Sequence, residues 1–250
     1  MARETVVEGI VLRRWYAGEH DKWVRLFTPE YGAVRVRVRG ARKPTSKMGM
    51  LTEPLNRLKA RVIEGRAQKL LAQPQLVQSY TGVRADLERL TVALALCETL
   101  DRWLPEEHPE PEVYATLLEG LASLAQGATP ETVAAETLWR WLAILGYAPE
   151  LGQCARCGCA SEAENRAFVI GDGFLLCAAC APSREGVPLS GASIAHLKET
   201  MRGEPGISIA RPDEVRSLLR AALRYAERVL ESPVRWLEFW ERLNALRESG

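Results

Sequence analysis

The chain has 250 residues, 47% apolar and 26% charged, a composition ordinary for a soluble globular protein with room for roughly one to three domains. No apolar run approaches the roughly 20 residues of a membrane span. The opening MARETVVEG has no apolar h-region and does not read as a signal peptide, so a cytoplasmic protein is expected. The net charge of +1 hides an asymmetry: residues 1–80 carry 16 Lys/Arg against 7 Asp/Glu, and residues 81–250 carry 17 against 25. A basic third joined to an acidic remainder predicts two parts with different partners.

Residues 1–80 read as all-β. Val6 to Trp15 is rich in β-branched residues and predicts a strand. Asp21 to Thr28 predicts a second, with Trp23 and Phe27 assigned to the core. The link TPEYG places Pro29 and Gly32 where a tight turn wants them. Ala33 to Arg39 then alternates strictly, so Val34, Val36 and Val38 take one face and Arg35, Arg37 and Arg39 the other. Gly40 to Pro54 reads as a loop that carries Arg42, Lys43 and Lys47. Strands are expected again at Leu55 to Glu64 and Gln68 to Val77, where Pro74 marks an edge or a bulge. Five short strands fit a small closed barrel of the OB type, and an SH3-like barrel fits the count nearly as well.

Beyond Thr81 the apolar spacing becomes helical. Leu87, Leu90, Leu94, Leu96 and Cys97 recur at helical intervals up to Leu104. A break follows at PEEHPEP. Helices are predicted over Pro111–Ala125 and from Pro130, with Thr129 as N-cap, to Leu145. Residues 151–185 are rich in Cys, Gly and Ala. Helices return over Ser190–Arg202 and from Pro212 to Glu231, and a last one carries Trp236, Phe239, Trp240 and Leu243. The expected class is a multidomain α+β protein: an OB-type barrel (1–80) and an all-α domain in two parts (81–150 and 186–250) with an inserted four-cysteine zinc module (151–185). The two helical stretches are expected to pack together around the insertion.

Two constellations carry chemistry. The first is C-x2-C-x19-C-x2-C, formed by Cys154, Cys157, Cys177 and Cys180. Each Cys-x-x-Cys turn supplies two soft thiolates, and two such turns complete a tetrahedral Zn²⁺ site that is closed and therefore structural. A hairpin turning at Gly171-Asp172-Gly173 would bring the knuckles together. Cys159 is one cysteine too many, either a competitor of Cys157 or a neighbouring thiol. Cys97 reads as a small core residue. The second constellation is the row Arg35, Arg37, Arg39, Arg42, Lys43 and Lys47, with no carboxylate interleaved. Phosphate contacts from such a row give affinity without sequence information, and aromatic side chains bordering turns, Trp15, Tyr16 and Tyr31, offer platforms for unpaired bases. A Gly-rich phosphate loop, GxSxG and HExxH are absent. His20, His108 and His196 lie in separate segments. The reading is a non-enzymatic DNA-binding protein; the alternatives are an adaptor whose basic barrel binds an acidic partner and a metal-dependent nuclease.

The segments GIVLRRWYAGEHDKWVRLFTPEYG (Gly9 to Gly32), RGARKPTSK (Arg39 to Lys47), LGYAPELGQCARCG (Leu145 to Gly158) and GFLLCAAC (Gly173 to Cys180) together resemble the RecO family of bacterial recombination mediators. Cys159 departs from that family's simple four-cysteine pattern. The resemblance implies binding of single- and double-stranded DNA, annealing of complementary strands, and joint action with RecR and single-strand-binding protein. The implied outcome is loading of RecA recombinase in the cytoplasm, at the nucleoid.

Overall fold

The structure is a computed structural model that describes residues 3–161, 167–170, 173–181, 186–204, 211–231 and 236. The expected turn at Gly171-Asp172 and the final helix, Trp236 apart, lie outside the described residues. The chain divides into two compact units, Met1–Ala128 and Thr129–Gly250.

The first unit begins with five strands: β1 (Glu4–Ala17), β2 (Asp21–Thr28), β3 (Gly32–Val38), β4 (Arg57–Glu64) and β5 (Lys69–Gln78). They close a barrel in the order β1-β2-β3-β5-β4, with β1 antiparallel to both β2 and β4 and β3 parallel to β5. This order, with a crossover between β3 and β5, is that of an OB barrel and decides against the SH3-like alternative. Closure leaves no free edge to manage. The short helix α1 (Lys47–Leu51) interrupts the segment read as loop and sits between β3 and β4.

Alternation dictates what faces inward. Val24, Leu26, Val34, Val36 and Val38 are buried in the barrel core with Leu58 and Val62. A slip of one residue in β3 would turn those valines out and three arginines in, and each buried valine is worth about 1.5–3 kcal/mol. Pro74 sits at an irregularity: the β4–β5 register shifts between Lys59 and Arg61, and Gln73 takes a left-handed φ of 51°. Such a bulge accommodates a residue with no N–H to give.

Three helices complete this unit: α2 (Thr81–Arg84), α3 (Leu87–Trp103) and α4 (Pro111–Ala125). Asp86 caps α3 by accepting from the Arg89 N–H at 2.9 Å. Phe27 points outward from β2 but is fully buried, edge-on to Tyr114 of α4 at 5.4 Å. Phe27 is thus core, as expected. Trp23 is not: it lies half-buried on the outer face of β2, stacked on Trp15 at 6.4 Å. The alternation that buries Val24 and Leu26 turns Trp23 outward, where among the described residues it stays half-buried, whereas α4 covers Phe27.

In the second unit α5 (Pro130–Ile144) precedes the cysteine-rich segment, and α6 (Gly191–Met201) and α7 (Pro212–Val229) follow it. Pro130 occupies the first turn of α5, but the Thr129 side chain makes no cap hydrogen bond. The fully buried Trp139 donates its indole N–H to the Leu218 carbonyl at 3.1 Å and stacks on Tyr225 at 5.7 Å. Helices on both sides of the cysteine segment therefore share one core. The segment itself forms a small sheet of β6 (Glu150–Cys154), β7 (Phe168–Ile170) and β8 (Phe174–Cys177), in the order β6-β8-β7.

Gly32 allows the β2–β3 turn. Its φ is +66°, and a Cβ there would sit 2.0 Å from the His108 carbonyl oxygen. Gly32→Ala combines backbone strain with a backbone clash, so it is expected to lower the unfolding free energy by about 2–4 kcal/mol. Urea denaturation followed by circular dichroism measures this, and a midpoint equal to that of the parent would contradict the packing described.

Candidate nucleic-acid interface and metal centre

The outer face of β1, β2 and β3 carries two cross-strand rows. Arg13, Arg25 and Arg35 pair in register, and beside them Trp15, Trp23 and Arg37 do the same. Arg35 lies over the Trp23 ring at 5.3 Å and Arg13 beside Trp15 at 5.9 Å. These are cation–π distances, and they leave the guanidinium N–H groups free to make other hydrogen bonds. Arg42 stacks on the exposed Tyr16 at 4.2 Å while donating to the Gly18 carbonyl at 2.8 Å.

The face is less uniformly positive than the sequence row suggests, because the fold brings carboxylates to it. Arg37 is held by Asp21 at 2.8 Å. Arg25, largely covered, is locked by Asp101 at 3.2 Å and the Leu104 carbonyl at 2.7 Å, so it anchors the end of α3 to the barrel. Glu106 lies 4.0 Å from Arg35, which keeps 55% of its side chain exposed. Arg39, Lys43 and Lys47 are exposed and form no ion pair among the described residues. The least neutralised charge therefore sits on the loop after β3.

That loop is firmly based. Lys22 points inward at the barrel end with its side chain only 9% exposed, and pairs with Glu53 at 2.8 Å. Arg14 reaches the other oxygen of Glu53 at 2.6 Å. Burial works to raise the Glu53 pKa, but Lys22 and Arg14 outweigh it and hold the carboxyl below its ordinary value. The Lys22 ammonium also donates to the Gly49 carbonyl in α1 at 3.3 Å. Nearer the strands, Asp21 accepts from the Gly40 N–H at 2.8 Å, and Arg42 N–H donates to the His20 carbonyl at 2.9 Å.

The second constellation also assembles. The sulfurs of Cys154, Cys157, Cys159 and Cys177 lie within 4.8 Å of one another, with Cys157 and Cys177 3.7 Å apart. A tetrahedron with Zn–S bonds of about 2.3 Å has edges of about 3.8 Å, so the spacing suits a metal. Cys180 adjoins the set through the thiols of Cys177, Cys157 and Cys154, which push its pKa up to about 12. Burial opposes ionisation of Cys154, but backbone N–H groups of Cys177, Cys157 and Arg156 donate toward its sulfur and bring it down to about 6. Thiols this close cannot all ionise unless a cation sits among them. The donor set therefore fits a divalent ion. Cys97, apart from this cluster, is fully buried in α3, and burial pushes its thiol up to about 12.

Two family models match the chain: "Recombination protein O N terminal" over residues 1–80 and "Recombination protein O C terminal" over residues 84–238. The chain belongs to the RecO family. Curated relatives named DNA repair protein RecO match it at length. That of Streptomyces coelicolor is 33% identical over 94% of this chain and 98% of its own. That of Thermobifida fusca is 34% identical over 94% and 97%, and that of Nocardioides sp. 35% over 75% and 81%. Among the described residues, no helix is long and apolar enough to cross a membrane.

In this RecO chain, the tertiary structure puts Arg35, Arg37 and Trp15 on one face with Arg13 and Trp23, which the sequence reading left out. Register to β3 was the signal that could have found Trp23 and Arg13. Arg42 and Tyr16 form a neighbouring pair at the barrel end. Tyr31 is exposed at the β2–β3 turn, where its backbone N–H donates to Thr28.

Asp21 is held below its ordinary 3.8 first by the Gly40 N–H and then by Arg37, against the cost of burial. A depressed carboxyl stabilises the fold above its unfolded pKa, and that contribution is lost as pH falls through the folded value. Asp21→Asn is expected to cost about 1–2 kcal/mol at pH 7 and to flatten the loss of stability below about pH 4. Thermal melts from pH 7 to pH 2 test this; parallel acid limbs in the two proteins would refute it.

Proposed function

We propose that this chain is a DNA-binding and strand-annealing recombination mediator that works without a catalytic step of its own. Membership of the RecO family supports a role in DNA repair. The observation that carries the reading is the outward row of Arg35, Arg37 and the stacked Trp15–Trp23 pair on an OB barrel, continued by Arg39, Arg42 and Lys43 on a well-anchored loop and by Lys47 at the start of α1. The arginines and lysines neutralise phosphates, and the indoles give unpaired bases a surface on which to stack. Two strands held on one basic surface repel each other less, so complementary bases find their register without nucleotide hydrolysis. The division of labour follows the chain: residues 1–80 hold DNA, 151–185 form a zinc module, and 81–150 with 186–250 supply helical surfaces. In the cell the same protein acts at the nucleoid with RecR and single-strand-binding protein to help load RecA recombinase. The zinc ion is structural, held by thiolates drawn from the five cysteines of the module, and it steadies the segment between α5 and α6.

A salt series with single-stranded and duplex oligonucleotides, with annealing followed in the same samples, tests the reading. Affinity for a single strand should fall with a log–log slope of roughly −0.7 per phosphate contacted. Arg35→Glu, Arg37→Glu and Arg39→Glu together should weaken binding to all sequences alike. A folded triple variant with unchanged affinity at moderate salt would overturn the assignment, and weak binding by the parent itself would favour a protein-adaptor role.

Trp15→Ala with Trp23→Ala should cost about 1–3 kcal/mol on a single strand and much less on duplex, where bases are already stacked. Equal losses on both would show that the indoles do not stack on bases.

A further inference from the structure

The cysteine module gathers five thiols where a tetrahedral ion takes four. Three of them form a common base: Cys154 and Cys177 are buried, and Cys157 lies 3.7 Å from Cys177. The other two, Cys159 and Cys180, are both half-buried and approach that base from different turns of the chain.

Cys159 is held there by the backbone. Gly158 takes a φ of +69°, which reverses the chain after the first knuckle. The Cys154 N–H then donates to the Cys159 carbonyl at 2.8 Å, and the Gly158 N–H to the Cys154 carbonyl at 2.9 Å. An antiparallel bridge between Gln153 and Ala160 continues the ladder. Cys180 is placed just as definitely: its N–H donates to the Cys177 carbonyl at 2.9 Å, and its own carbonyl accepts from Arg156 at 2.9 Å. The close-set quartet, all within 4.8 Å, contains Cys159 rather than Cys180.

We propose that Cys159 is a metal ligand in its own right, and that Cys159 and Cys180 exchange in the fourth position over the base of Cys154, Cys157 and Cys177. This rests on the module being a metal site. Exchange balances in charge: the entering thiol gives a proton to water and the departing thiolate takes one up. The site then tolerates loss of either outer thiol, a tolerance that a set of only four cysteines lacks.

Two measurements on the full chain decide it. In the zinc-loaded parent protein, alkylation with iodoacetamide followed by peptide mass spectrometry should label Cys159 and Cys180 each in part, while Cys154, Cys157 and Cys177 stay protected. Labelling confined to one of the two would overturn exchange. Separately, Cys159→Ser and Cys180→Ser should each keep one ion per chain through gel filtration, and each should show the absorption of a four-sulfur tetrahedral site when loaded with Co²⁺. The double variant should lose both properties. If Cys180→Ser alone releases the ion, Cys159 is a bystander and the proposal fails, although the metal site stands. If the parent protein holds no ion at all, the metal reading itself falls.

Discussion

Closure of the five-stranded barrel is the constraint from which the rest of the first unit follows. Once β1 pairs with both β2 and β4, and β5 meets β3, the interior is sealed and only one set of alternating side chains can occupy it. Valine and leucine take that set because a buried, unpaired arginine would cost far more than any valine gains. The arginines of β3 are therefore turned outward by the same requirement that turns the valines in. The chemistry of the outer face is in this sense a by-product of the core.

The charged residue turned into the apolar interior does the next piece of work. Lys22 points inward at the barrel end and is tolerated because Glu53 and a backbone carbonyl meet its charge. Glu53 also takes Arg14, so one carboxylate ties β1, β2 and the approach to β4 together. A half-buried carboxylate flanked by two cations is costly to remove, because the buried Lys22 would keep the Gly49 carbonyl but lose its counter-charge. Asp21 plays a parallel part at the strand ends, where it receives both Arg37 and the Gly40 N–H. These contacts fix the base of the loop after β3 while Lys43 and Lys47 remain exposed.

The second unit solves a different problem. Residues 150–181 are too short in apolar side chains to make a core of their own, and their three-stranded sheet is small. Convergent thiols supply what packing does not, since an ion binding them would add its binding free energy to folding. Trp139, meanwhile, joins the helices before and after the segment through its stack on Tyr225 and its bond to Leu218. The chain leaves and re-enters one helical core on either side of the cysteines.

Local pattern was enough to read the five barrel strands, the longer helices and the two clusters of functional residue types, but not α1, which lies where a loop was read. Asp21–Thr28 and Pro111–Ala125 could be bounded to the residue, because a turn or proline marks each end. Pro74 announced an edge or a bulge, because a residue without an N–H cannot sit in a ladder, and the structure has the bulge. The spaced cysteines announced a cluster of thiols for an equally local reason. What the sequence could not state was which charges would be left over. Asp21, Asp101 and Glu106 reach the arginines from β2, from helix α3 and from the segment after it, and nothing in the row Arg35 to Arg39 foretells them. The position of Trp23 likewise depended on whether a helix would cover the outer face of β2 as α4 covers Phe27. Cys159 entered the thiol cluster only through a left-handed glycine and a reversed ladder. Periodicity is carried by neighbours along the chain and is legible there. Charge balance, coverage and ligand sets depend on residues remote in sequence, so only the tertiary structure could decide them.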